Sequence, residues 1–130
     1  MTESKVTRED VLQASKGMLQ KQVYIVLSAP TRGMGAVMEN LPAHLEHQCK
    51  LERSGVLLAA GPNWTDDEQT WEGDGTFVIR ANSLAEAREI AASDPMHKCG
   101  ARAFRVRPWL INEGGLRLRI SFSDGKVEVE

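Results

Sequence analysis

Hydrophobic and polar positions change period several times along the chain, and each change marks an element. Val11, Leu12, Ser15, Met18 and Leu19 recur at helical spacing and predict a helix over residues 7–19. Thr7 can cap it, Asp10 stands at its third position, and Val6 and Val11 are spaced as a hydrophobic staple. Residues 22–29 carry Val23, Tyr24, Ile25, Val26 and Leu27, apolar on both alternating faces, as a central strand requires. Residues 30–40, with Pro30, Gly33 and Gly35, read as a loop of a length common at functional sites. Asn40-Leu41-Pro42 and Gly55 bracket a second helix. The apolar run Val56-Leu57-Leu58-Ala59-Ala60 follows at once and predicts a strand buried on both faces.

Residues 63–74 are acidic, enclose Trp64 and Trp71, and read as a solvated hairpin loop before a strand over 76–81. Ser83-Leu84-Ala85-Glu86 has the form of a capping box and starts a third helix, whose small Leu84, Ala87 and Ala91 face permits close approach to a sheet. Pro95 excludes helical geometry at Asp94 and ends it. Residues 101–110 form a strand with Phe104 and Val106 on one face and Arg105 and Arg107 on the other. Leu116, Leu118, Ile120 and Phe122 alternate with polar residues. A two-residue Asp124-Gly125 turn then sets Phe122 opposite Val127, Ile120 opposite Val129 and Arg119 against Glu130.

Without the first helix and the last hairpin, the order is strand–helix–strand–strand–helix–strand. That is the ferredoxin-like βαββαβ arrangement of the α+β class. One face of such a sheet lacks helices, and a second copy of the chain would cover it, so a homodimer is expected. The chain is read as one domain over 1–130, with a core at about 22–110, an N-terminal helix extension over 1–21 and a C-terminal hairpin extension over 111–130.

A net charge of −2 gives no electrostatic case for nucleic acid or an acidic membrane surface. No run approaches the roughly 18 apolar residues of a membrane span, and Met1-Thr2-Glu3-Ser4-Lys5 has no signal-peptide character. Cys49 and Cys99 have no Cys-x-x-Cys spacing and are expected as reduced thiols of a cytoplasmic protein. Cys49, on the side of Leu41 and Leu45, is expected to be buried and inert.

The candidate chemistry rests on His44 and Asp94. His44 is expected in the first turn of the second helix, within reach of its dipole, and Asp94 at the end of the third. A carboxylate beside an imidazole fixes ring orientation and tautomer and makes a general base with a defined proton position. The plainer readings are a histidine bonded to a loop carbonyl and a polar stop before proline. His47 and His97 lie near these two in sequence. Three histidines and an aspartate suit a metal of imidazole and carboxylate preference, but the spacing of recognised sites is missing and no metal is expected. His47 and His97 instead join Arg105 and Arg107 as candidate substrate contacts. The arginines could clamp a carboxylate or lay their stems along the sheet with heads in water. The tryptophans are read first as packing. Gly33 and Gly35 do not make a phosphate loop, and no cofactor is expected.

Pro42-Ala43-His44-Leu45, Gly55-Val56-Leu57-Leu58-Ala59-Ala60-Gly61-Pro62, Ser83-Leu84-Ala85-Glu86-Ala87, Asp94-Pro95, Gly100 and Arg107-Pro108-Trp109, in this order and spacing, resemble the YCII-like family of the dimeric α+β barrel superfamily. The resemblance covers roughly residues 22 to 110. It implies a ferredoxin-like fold, dimerisation through the sheet and a pocket between sheet and helices. It also implies an active-site histidine–aspartate pair at His44 and Asp94, and a similarity to a dehydrochlorinase that removes chloride from an aromatic ring. His47 departs from the aromatic residue that many members carry there. The resulting expectation is a small cofactor-free enzyme that moves a proton in an elimination or isomerisation of a small organic molecule. The alternative is a non-catalytic ligand-binding or oligomerisation module.

Overall fold

Alternation along three strands builds the core. Tyr24 and Val26 of β1 (Lys21–Pro30), Phe77 and Ile79 of β3 (Trp71–Ile79) and Val106 of β4 (Arg102–Ile111) turn one face of the sheet inward. They meet Ala87 and Ala91 of α3 (Leu84–Ala92), whose missing side-chain bulk lets helix and sheet approach. The strand order is β2-β3-β1-β4, with β2 at Leu57–Trp64, and β3 runs antiparallel to both its neighbours. The architecture is the ferredoxin-like α+β fold. Ser83 caps α3 by accepting the Glu86 amide. The Glu86 carboxylate accepts from Asn82 instead of closing the predicted box.

The computed structural model describes residues 4–130. These form two compact units, one of Gln22–Trp109 and one of the residues up to Lys21 with Leu110–Glu130. Among the described residues no helix is long and apolar enough to cross a membrane.

Several expectations need correction. Helix α2 spans Met34–Arg53, so most of the predicted 30–40 loop is helix and Pro42 lies inside it. Met34, Val37 and Leu41 form a stripe that packs with Met96, Ala101 and Trp71 in a second apolar cluster. That burial outweighs the cost of an internal proline, about 3 kcal/mol, and the Pro42 ring sits on the solvent side. Strand β2 is an edge strand, not one buried on both faces. Only Leu57 is half-buried and the rest is exposed, because β3 is its sole neighbour in the sheet. A proline at position 62 suits such an edge.

The acidic segment is shorter than predicted. Trp64 pairs with Trp71 across the β2–β3 hairpin, and the turn is pinned by Asp67 Oδ1, which accepts from the Thr65 hydroxyl at 2.6 Å and the Gln69 amide at 3.0 Å. Gly73 takes a φ of 96°, and a Cβ there would stand 2.6 Å from Pro30 Cγ and 2.8 Å from Met34 Sδ. Only glycine fits where β3 crosses the start of α2.

In the smaller unit, α1 covers Arg8–Ala14, shorter than the predicted 7–19. Thr7 and Asp10 form a reciprocal capping box. The terminal hairpin pairs β5 (Leu118–Ile120) with β6 (Val127–Val129), with Leu118 opposite Val129, Arg119 opposite Glu128 and Ile120 opposite Val127. The predicted register is therefore displaced. The turn is wider than two residues: the Gly125 and Lys126 amides bond to the Ser121 carbonyl and the Asp124 carboxylate respectively, leaving Phe122 fully exposed in the turn.

Candidate functional site

Leu41, His44, Leu45 and Gln48 recur at helical spacing and share one face of α2. That face forms one wall of a cavity of about 410 Å³. The edge hairpin supplies Ala60, Pro62, Trp64 and Trp71 opposite it, and Thr76, Phe77 and Arg102 lie on the sheet. A volume of this size falls within the roughly 300–1,000 Å³ of small-molecule sites. The lining is mainly apolar, with two aromatic indoles and a few polar groups.

His44 stands in the middle of the twenty-residue α2, not in its first turn. The dipole at the helix start therefore does not act on it. Its partner carboxylate comes from the junction after α3. Asp94 does not simply end that helix. It caps α4, a single turn at Pro95–Lys98, with Pro95 at the first helical position and Oδ1 accepting the Met96 amide at 2.9 Å. This use of one oxygen aims the other at α2. Oδ2 accepts from His44 Nδ1 at 2.7 Å and from Gln48 Nε2 at 3.2 Å. Asp94 is almost wholly buried, and His44 retains a small exposed edge on the cavity.

Burial is the largest influence on the Asp94 carboxyl and pushes its pKa up. The hydrogen bond and charge of His44, the Met96 amide and the charge of His97 together outweigh it and hold Asp94 below the usual carboxylate value. An ionised Asp94 accepts from Nδ1–H, so the neutral ring carries its lone pair on Nε2. Among the described residues Nε2 has no hydrogen-bond partner.

The other predicted contacts fall elsewhere. His47 Nε2 lies 3.2 Å from Ser93 Oγ, next to Asp94 but away from the cavity wall. His97 packs between Phe77 and Phe104, with Nδ1 donating to the Ala91 carbonyl and Nε2 2.6 Å from Ser28 Oγ. Burial pushes its pKa down, against the Ala91 bond and the charge of Asp94. It holds the α3–α4 junction to β1. Arg105 and Arg107 are exposed and line no part of the cavity, since strand parity puts them opposite Val106. Among the described residues no group of three or more His, Cys, Asp or Glu is placed to hold a metal. Cys49 is exposed, as is Cys99, because the α2 face toward β2 is left open beside it.

Two polar residues of the wall were not foreseen. Gln48 was visible as the i+4 neighbour of His44, and Arg102 as the residue sharing strand parity with Phe104 and Val106. Arg102 is buried, with its guanidinium carbon 5.9 Å from the centre of the Trp71 ring. Burial pushes its pKa down while the charges of Asp94 and Asp74 push it back up, and the guanidinium keeps its proton. With its amide nitrogen on Asp94, Gln48 leaves Oε1 buried without a partner among the described residues.

Comparison with known proteins bears on this arrangement. A curated protein of Emericella nidulans, derivative of benzaldehyde biosynthesis cluster protein C, is 36% identical over 70 residues, covering 50% of this chain and 71% of that protein. Among solved structures, 5-chloro-2-hydroxyhydroquinone dehydrochlorinase of Burkholderia phenoliruptrix, in complex with 2,5-dihydroxybenzoquinone, superposes with a TM-score of 0.56. It is 22% identical, and the match covers 67% of this chain and 92% of that one, a likeness of fold. The profile of the YCII-related domain matches residues 23–110, which span β1 to β4 and every residue of the cavity wall, and the chain accordingly belongs to the YCII-related domain family.

Proposed function

We propose that the protein is an enzyme acting on a small, ring-containing organic molecule, with His44 as the proton-transferring group and Asp94 as the residue that orients it. The observation that carries this reading is the 2.7 Å contact of His44 Nδ1 with Asp94, made at the wall of an apolar cavity. Nε2 accepts a proton from the bound molecule. The electron pair left behind either expels a leaving group, completing an elimination, or is reprotonated at another atom, completing an isomerisation. Asp94 stays ionised and stabilises the imidazolium that forms. The named activity of the solved neighbour, dehydrochlorination, and its quinone ligand make a hydroxylated aromatic the first substrate class to test.

The test is turnover of a panel of halogenated and non-halogenated hydroquinones, followed by halide release and by absorbance. Turnover by the wild type that drops about 10²–10⁴-fold in His44→Ala is expected. Equal turnover in the two proteins would refute the role of His44. Ligands that bind without ever turning over would favour the non-catalytic module. A homodimer remains part of the proposal. Leu27 and Trp109 stay exposed on the sheet face away from the helices, which is surface that a second copy would cover. Light scattering at working concentration tests that directly.

A further inference from the structure

The cavity wall holds one strongly basic side chain, and among the described residues it has no ion-pair partner. Arg102 is 5% exposed. Among the described residues no carboxylate lies within ion-pair distance of it, and its Nε is buried without an acceptor. Asp94 and Asp74 influence it only through space. Among the described residues its aromatic contact is the face of Trp71, which attracts a cation but accepts no conventional hydrogen bond. Buried charges are otherwise paired and hydrogen-bonded, because removing an ion from water is costly and little else offsets it. A guanidinium kept inside for structural reasons would have a carboxylate or a ring of carbonyls. This one opens on an apolar hollow instead.

We propose that Arg102 is the docking point for a negatively charged oxygen of the substrate, so that the cavity selects small planar molecules ionised at a phenol, enol or carboxyl group over neutral molecules of the same shape. The planar guanidinium presents parallel N–H donors to such an oxygen, and hydrogen bonds between charged partners are roughly twice as strong as neutral ones. Trp64, Trp71 and Phe77 provide flat apolar surface for the ring that carries it. Arg102 then does for the bound molecule what no other residue of the wall can do. It neutralises charge at one point while His44 acts at another. This inference rests on the reading of the cavity as the substrate site.

The experiment compares matched anionic and neutral probes by titration calorimetry: 4-nitrophenolate against nitrobenzene, and benzoate against benzamide. The wild type is expected to bind each anion at least about tenfold more tightly than its neutral partner. Arg102→Met is expected to abolish that preference while leaving the neutral probes unchanged, and Arg102→Lys to keep part of it. Equal affinity for anion and neutral partner in the wild type, or no binding of either anion, would overturn the proposal whether or not the variants fold. So would a preference that survives in a folded Arg102→Met. His44→Ala is expected to retain the preference. Turnover unaffected by that change would sink the proton-transfer reading and leave the anion site standing, so the two failures are distinguishable.

Discussion

Asp94 reaches His44 with one carboxylate oxygen and caps α4 with the other, at 2.7 Å from Nδ1 and 2.9 Å from the Met96 amide. A single buried group thus sets the turn of the chain after α3 and the orientation of a ring on α2, fifty positions away in sequence. The local structure and the candidate chemistry are the same interaction, and separating them requires substitutions of graded severity.

Asp94→Ala removes the cap of α4 and leaves the Gln48 amide without its acceptor in a buried setting. A loss of about 2–4 kcal/mol in unfolding free energy is expected from a lost cap plus an unsatisfied buried donor. Asp94→Asn keeps an oxygen for the cap and is expected to lose no more than about half of that, while impairing turnover as strongly as the alanine variant. Urea unfolding and initial rates measured on the same preparations decide between them.

Stability is expected to fall with acidification in two stages. The folded pKa of His97 lies below its ordinary 6.5, chiefly through burial. Between those values the unfolded chain binds a proton that the native state does not, so stability is complete above 6.5 and declines as pH drops below it. Asp94 follows the same sign lower down. Its folded value lies below 3.8, so its contribution is present above that and is lost as pH falls through the folded value. Urea midpoints across the acid range measure both stages. In His97→Gln the upper stage should disappear, and a midpoint profile identical to wild type would show that His97 is not its source.

Gly73→Ala is expected to destabilise the fold by about 2–4 kcal/mol, because it adds left-handed strain to an overpacked contact. The added carbon would sit 2.6 Å from Pro30. Gly75→Ala, on the same strand, meets nothing closer than 3.5 Å and should change stability by less than about 1 kcal/mol. Thermal melts of the pair make the comparison. Similar melting temperatures would mean that Pro30 and Met34 yield without cost.

Pro42→Ala restores a donor to the middle of α2 and is expected to stabilise it by about 1–2 kcal/mol, the helix gain being partly offset by a freer unfolded chain. Unchanged or lower stability would show that the proline ring itself contributes packing.

Arg105→Ala and Arg107→Ala together should leave ligand affinity within about twofold of wild type, since exposed side chains outside a site rarely contribute more. Both arginines are solvent-exposed and absent from the cavity wall. A larger loss of affinity would place a second binding surface on that strand.

Much of this molecule was legible from local pattern. The apolar run of the central strand β1, the alternation of Phe104 and Val106 in β4, the Ser83 cap and the Thr7–Asp10 cap depend on neighbours within a few residues, and those rules hold wherever the segment is placed. The start of α2 was not legible. Pro30, Gly33 and Gly35 argue for loop and Pro42 for a helix that starts beside it, and only the burial of Met34 and Val37 against Trp71 and Met96 overrules them. The exposure of β2 was hidden for a related reason, since an apolar run does not state how many neighbours its strand will have.

The sequence by itself determined the order of the four core strands and the family, because periodicity, caps and motif spacing are properties of the chain alone. Only the tertiary structure decided which charged groups face the cavity. Arg102 and Arg105 are the same residue type three positions apart, yet one is buried beside Trp71 and the other lies in solvent. Parity on a strand separates the two faces of a sheet, but the packing of α2 and the β2–β3 hairpin determines which face encloses a hollow.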